Sequence, residues 1–147
     1  MKITIDINGV PTEITLTEDQ LKQSTTVKPI PFNWKDIKSW EDVLKYNPDL
    51  ELPFPNATEK WQIRMNNYFI LVNVIELVNE GWRPDWSDDN YKYYAYLYWD
   101  SSINGFSSDV FGCSHACIVG SALCSSTREK AEHILKHFEP QYKLYLL

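Results

Sequence analysis

All three cysteines and all three histidines of this 147-residue chain fall between positions 113 and 137. Cys113 and Cys117 come first, and after fifteen intervening residues His133 and His137 follow, four positions apart. Two thiolates on a hairpin and two imidazoles on one helix face are the ligand set that tetrahedral zinc takes. His115 or Cys124 could replace a member. Against zinc, such sites staple chains too short for a core, and this chain is long enough to bury one. The segment also lacks the basic residues of a finger that reads nucleic acid. Cysteine as a small buried hydrophobe and histidine facing solvent is the preferred reading, and no cofactor is expected. The same residues raise a Cys–His nucleophile pair at Cys113, Cys117 or Cys124. No nucleophile elbow flanks any of them, and five glycines leave no glycine-rich phosphate loop, so no enzymatic activity is expected.

Carboxylates cluster at Asp85, Asp88 and Asp89, beside Asn90. Such a group can hold magnesium or calcium, but the spacing lacks the alternating ligands and glycine of an EF-hand. Turn and cap chemistry uses the same residues, and that reading is preferred. The densest feature is aromatic. Trp82, Trp86, Tyr91, Tyr93, Tyr94, Tyr96, Tyr98 and Trp99 are eight rings within eighteen positions. A strand commonly buries one face, so some rings should stay exposed, and Tyr and Trp dominate binding hot spots. Stacking on single-stranded nucleic acid would need a positive groove, yet residues 82–100 hold two basic side chains against four aspartates. The expected protein-binding set is Trp82, Trp86, Tyr94, Tyr96 and Tyr98, with Asp85, Asp88 and Asp89 as rim charges. A sheet buried on both faces is the competing reading. A nucleotide pocket walled by aromatic rings, with Arg64 or Arg83 as its cation, is another.

The elements that must position these residues read as α+β: a small antiparallel sheet packed with one long central helix and a C-terminal helix, in a single domain over 1–147. Residues 1–16 alternate as a hairpin, with Ile3, Ile5 and Ile7 answered by Val10, Ile14 and Leu16 across Asn8-Gly9. Thr17 to Gln20 has the capping-box form, and residues 22–38 read as a loop returning Phe32 and Trp34 to the body. Ser39 caps a short helix ending near Tyr46, and proline-rich 48–56 should be extended. A core helix is expected over 58–80, with Trp61, Met65, Phe69, Val72 and Ile75 on one stripe, apolar residues around most of its girth, and Gly81 at C′. The sheet should occupy 91–124, with a strand at Tyr91–Trp99 and then turn, strand, turn, strand over 101–126: turns at Gly105 and Gly112, a strand between them, and the best strand of the stretch at Ile118–Cys124. Ser126-Thr127-Arg128-Glu129 has the capping-box form and should open a terminal helix over 127–139, which Pro140 ends or kinks.

Fourteen basic against twenty acidic residues give a net charge of −6, and the acidity is shared evenly by residues 1–60 and 61–147. Bulk charge therefore argues against binding nucleic-acid phosphates. No apolar run reaches the roughly 18 residues of a membrane span; the best, Phe69 to Val78, is interrupted by Asn73 and Glu76. No secretory signal opens the chain, and an odd number of cysteines suits a reducing, cytoplasmic setting without a disulfide framework.

Several segments carry a resemblance: the opening hairpin with Leu-Thr-Glu-Asp-Gln-Leu at 16–21, Ser-Trp-Glu-Asp-Val-Leu at 39–44 and Asn-Glu-Gly-Trp-Arg-Pro-Asp-Trp at 79–86. Lys-Tyr-Tyr at 92–94, Gly-Phe at 105–106, Gly-Ser-Ala-Leu-Cys at 120–124, Glu129, Ala131 and Phe138 continue it. In their order they resemble a type of short protein common in phages and mobile elements of Bacteroidota. The chain departs from that pattern at 107–117 and at Pro140. The resemblance supplies no activity and no catalytic residues, and its terminal helix is typified by Ala and Phe positions, which lowers the zinc reading further. With the acidic charge it implies a non-enzymatic protein that grips a host protein and inhibits a defence system. An anti-CRISPR-like inhibitor of an RNA-guided nuclease, or of its ribonucleoprotein, is the concrete form. A nucleotide-signal binding domain and a zinc-stabilised accessory domain are the alternatives.

Overall fold

The computed structural model describes residues 2–7, 10–15, 31–115 and 118–147. Its contacts divide the chain into two compact units, residues 1–32 and 33–147. In the first, β1 (Lys2–Ile7) and β2 (Val10–Thr15) pair antiparallel, with Ile3 opposite Ile14 and Ile7 opposite Val10. The expected Asn8-Gly9 turn and Thr17 cap lie outside the described residues.

The second unit begins with a 3-10 turn at Trp34–Asp36, capped by the Asn33 side chain. α1 (Trp40–Tyr46) starts at the expected Ser39 and closes as a capping box: the Ser39 hydroxyl accepts from Asp42 N–H, and the Asp42 carboxylate accepts from Ser39 N–H. α2 (Lys60–Val78) is the central helix. Leu71, Val74, Ile75 and Val78 are buried, and Ile63, Ile70, Val72 and Leu77 are half-buried around the remaining girth. Asn66 holds the proline-rich approach against this helix. Its side chain accepts from Phe54 N–H at 3.0 Å and donates to Phe54 C=O at 2.8 Å.

α2 ends differently from expectation. Glu80, not Gly81, takes the first left-handed position, with φ 56°, and Gly81 follows at φ 79°. Glu80 N–H donates to Leu77 C=O and Gly81 N–H to Glu76 C=O, the paired bonds of a Schellman closure. Its carboxylate accepts from Lys130 Nζ at 2.8 Å, a contact that a glycine there could not make.

β3 (Lys92–Asp100) pairs antiparallel with β4 (Gly105–Cys113) across the loop 101–104. The strand expected between Gly105 and Gly112 is β4; the last expected strand is corrected. The apolar stretch at 118–124 is not a strand; Ser121–Leu123 is a 3-10 turn, and only Ser125 bridges to Tyr93. Gly112 is not a turn residue but lies inside β4, opposite Tyr93. α3 (Arg128–Leu146) is capped one residue later than the Ser126–Glu129 pattern places it, by the Thr127 hydroxyl accepting from Lys130 N–H, and continues past residue 139. Phe138 leaves helical geometry (φ −123°, ψ 20°), a kink that places Pro140 in the first turn of a second helical segment, where its missing N–H costs least.

The architecture is therefore α+β, with α3 packed on α2 and on both strands of the β3–β4 hairpin. Its core joins Ile37, Val43, Leu71, Val74, Val78, Ala95, Leu123, Ile134 and Phe138. Among the described residues no helix is long and apolar enough to cross a membrane.

Candidate functional site

The loop leading from α2 to β3 is tied down by its own aspartates. Asp85 accepts from the N–H and hydroxyl of Ser87, at 2.8 and 2.6 Å, and these bonds hold its carboxyl below the usual range. Asp88 accepts from Lys92 Nζ and from the backbone and side chain of Asn90. The Lys92 ammonium first, then Asn90, keeps its carboxyl below the usual range. Lys92 is only 1% exposed. Its ammonium also reaches the carbonyls of Asp88 and Ser114, each at 3.3 Å, and sits 5.4 Å from the centre of the Trp86 ring. Trp86 in turn donates Nε1–H to the Ser121 hydroxyl at 2.9 Å. Trp86, Asp85 and Asp88, expected as contact residues, are thus engaged within the fold. Asp89 stays exposed, 3.4 Å from His115.

Strand parity gives the hairpin two faces. Ala95 and Val110 lie on the inner face and are buried against the helices; Trp99 and Phe106 extend that face beyond them at the hairpin tip. The other face carries a run of rings: Tyr94 to Phe111 at 5.9 Å, Phe111 to Tyr96 at 6.3 Å, and Tyr96 to Tyr98 at 5.6 Å. Tyr94 is 4% exposed, which corrects its expected role as a surface anchor. Along β3 exposure rises toward the tip: Tyr98 is 41% and Trp99 56% exposed, and Trp99 meets Phe106 edge-on at 5.4 Å. Phe111, opposite Tyr94 and away from the tip, is 51% exposed. Trp99 lay outside the expected contact set although it ends the strand, and Phe106 and Phe111 lay outside it because the dense run of rings in the sequence stops at Trp99. The only charged residues in β3 and β4 are Lys92, Asp100 and Asp109, so the exposed part of the hairpin is aromatic and acidic.

Trp82 is half-buried and lines two cavities. One, of about 360 Å³, opens between α2 and the 3-10 turn at Ser121–Leu123, with Val72, Ile75 and Arg83 in its wall. The Arg83 guanidinium is paired with Glu76 at 2.9 Å. Arg64, the other candidate cation, donates instead to the Leu147 carbonyl at 2.7 Å. The second cavity, of about 490 Å³, is bounded by Tyr91, Tyr93 and Arg128.

The histidines of α3 face a separate cleft with Trp34, Lys38 and Lys136. Their rings lie 4.7 Å apart, and His133 donates from Nε2 to the Ile37 carbonyl at 2.8 Å, leaving Nδ1 as its other ring nitrogen. Burial first, then the neighbouring His133, Lys136 and Lys38, pushes the His137 pKa down. Cys113 ends β4, His115 is exposed beside Asp89, and Cys117 lies outside the described residues. Among the described residues no three Cys, His, Asp or Glu side chains come together to hold a metal ion.

With this geometry established, comparisons with protein-family models, curated proteins and solved structures find no match for the chain.

Proposed function

We propose that this is a non-enzymatic interaction protein whose contact surface is the exposed rings of the β3–β4 hairpin: Tyr96, Tyr98 and Phe111 along one face, and Trp99 and Phe106 at the tip. The observation that carries this reading is the gathering of large, partly exposed rings on one two-stranded hairpin. Such rings remove much area from water at little entropic cost when a partner covers them. Asp100, Asp109 and the net charge of −6 favour a partner with a basic protein surface over a polyanion. The concrete form of the proposal is a phage-type inhibitor that occupies a basic groove of a host defence nuclease, most specifically an RNA-guided one, and so acts in the host cytoplasm.

The test is a tagged pull-down from a Bacteroidota lysate, with and without nuclease treatment, using wild type and a Trp99→Ala/Phe111→Ala variant. One host protein retained near stoichiometry, insensitive to nuclease and lost with the variant is expected. If retention is unchanged by the double substitution, the contact surface lies elsewhere. Loss of retention on nuclease treatment points to a ribonucleoprotein target. Where the retained protein is an RNA-guided nuclease, substrate cleavage should fall as purified protein is added.

The cavity beside Trp82 and Arg83 supports a second reading, capture of a planar small molecule. A thermal-shift screen against nucleotides tests it: a stabilising ligand whose effect disappears in Trp82→Ala favours capture.

A further inference from the structure

Tyr93 exchanges two backbone hydrogen bonds with Ser125, its N–H donating at 3.0 Å and its carbonyl accepting at 2.6 Å. In an antiparallel ladder successive residues point their backbone groups to opposite sides. Tyr93 is bonded to Ser125, so it points away from β4, and Ala95, Leu97 and Trp99 point the same way. After Ser125 the chain turns into α3, and among the described residues of the second unit β4 is the only strand neighbour of β3. Within that unit Ala95, Leu97 and Trp99 have no backbone partner on that side among the described residues. Ala95 is buried, so the edge opens from Leu97 to Trp99, and from Tyr93 to Trp99 it carries no charge and no proline. The other edge of the hairpin is better guarded. On β4, Val110 N–H is taken by the adjacent Asp109 carboxylate at 2.7 Å, and the Tyr93 ring lies over Gly112.

We propose that the open edge of β3 is completed by β3 of a second copy, antiparallel about a twofold axis at Tyr98, giving a continuous four-stranded sheet. A second copy fits because the edge is complementary to itself. With Tyr98 on the axis, Leu97 lies opposite the partner's Trp99, and the reverse pair forms by symmetry. Both residues point their backbone groups outward, so each pair closes two hydrogen bonds. Their side chains share one face, where Leu97 is half-buried and Trp99 exposed. The two Tyr98 rings meet on the other face. No charge within the 93–99 stretch opposes the pairing. The inference does not depend on what the aromatic face binds; the dimer would join two such faces side by side.

Sedimentation equilibrium over a wide concentration range tests it. Wild type should show a monomer–dimer equilibrium. Leu97→Pro removes an outward N–H that the monomer does not use, and Trp99→Lys places a charge at the edge; both should sediment as monomers with unchanged circular dichroism. Phe111→Lys, on the neighbouring strand, should still dimerise. A wild type monomeric throughout, or dimers that persist in both edge variants, would overturn the proposal. So would dissociation by Phe111→Lys alone, which would place the contact on the aromatic face. Hydrogen exchange on wild type decides the matter even if the edge variants fail to fold. The amides of Leu97 and Trp99 should slow as concentration rises, and concentration-independent exchange at both would refute the pairing.

Discussion

A buried ammonium needs acceptors for its hydrogens and a counter-charge, and Lys92 obtains the charge from Asp88 and its acceptors from Asp88 and the Ser114 carbonyl. Asp88 is four residues before it and Trp86 six, so the loop closes over the residue that follows it. Asp88→Ala should therefore lower the urea midpoint more than Asp85→Ala, because only the former strands Lys92 without a counter-charge. Lys92→Met should be milder than Asp88→Ala, since Asp88 can turn to water; an equal loss in all three variants would contradict this account. Gly112 makes a sharper case. A Cβ there would lie 2.8 Å from one Tyr93 ring atom and 3.1 Å from Tyr91, so Gly112→Ala must displace stacked rings. A loss of about 1–3 kcal/mol in denaturant unfolding is expected. Asp42 supplies a pH dependence. The Lys45 hydrogen bond first, then Lys38 N–H, lowers its pKa to about 2 from an ordinary 3.8. A carboxyl lowered by folding stabilises above its unfolded pKa, and that contribution fades as pH falls from about 4 toward 2. Asp42→Asn should flatten the stability profile in that window while leaving the profile above pH 5 parallel to wild type.

At the scale of elements, what was legible depended on how local the cause was. Ser39 announces α1, and the Ser126–Glu129 pattern announces α3 to within one residue, because a cap acts within three residues; the apolar girth of α2 follows from its own sequence. The strand between Gly105 and Gly112 was legible from the turn residues around it, although Ser107, Ser108, Asp109 and two glycines give it little strand propensity; pairing with β3 holds it and draws Gly112 into the strand. Conversely, Ile118 and Val119 look like strand residues, but Ile118 is exposed and the chain turns at Gly120, with φ 85°. The candidate surface followed the run of rings at 82–99. Tyr96 and Tyr98 remain in it, whereas Phe106 and Phe111 join it through pairing with Trp99 and Tyr94, a contact that ring density along the chain does not show. Burial of Lys92 had a weak signal, an aspartate and a tryptophan just upstream, but lysine in a strand ordinarily reads as solvent-facing. The end of α2 offers a test of element closure. Gly81 at φ 79° has open space around its Cβ position, so Gly81→Ala introduces no clash and probes backbone conformation alone. It should cost about 1 kcal/mol, read from chemical denaturation. A neutral result would mean that the Schellman closure contributes little.

For the whole molecule, charge and rings should control different parts of an encounter. The net charge of −6 creates a long-range field, while the uncharged rings of the hairpin act only in contact. If the partner surface is basic, the association rate should fall several-fold as ionic strength rises from 50 to 500 mM, because the Debye length shrinks from roughly 14 Å to about 4 Å. Truncating a ring leaves that field intact. Trp99→Ala or Phe111→Ala should therefore act mainly on dissociation, each speeding it by about tenfold if it removes an anchor worth about 1.4 kcal/mol. Reversing a charge at the surface should do the opposite: Asp109→Lys should slow association more than it hastens dissociation. Surface plasmon resonance with the captured partner separates the two rates. Salt-independent association, or ring variants that change only the association rate, would contradict this division and move the contact away from the acidic aromatic hairpin.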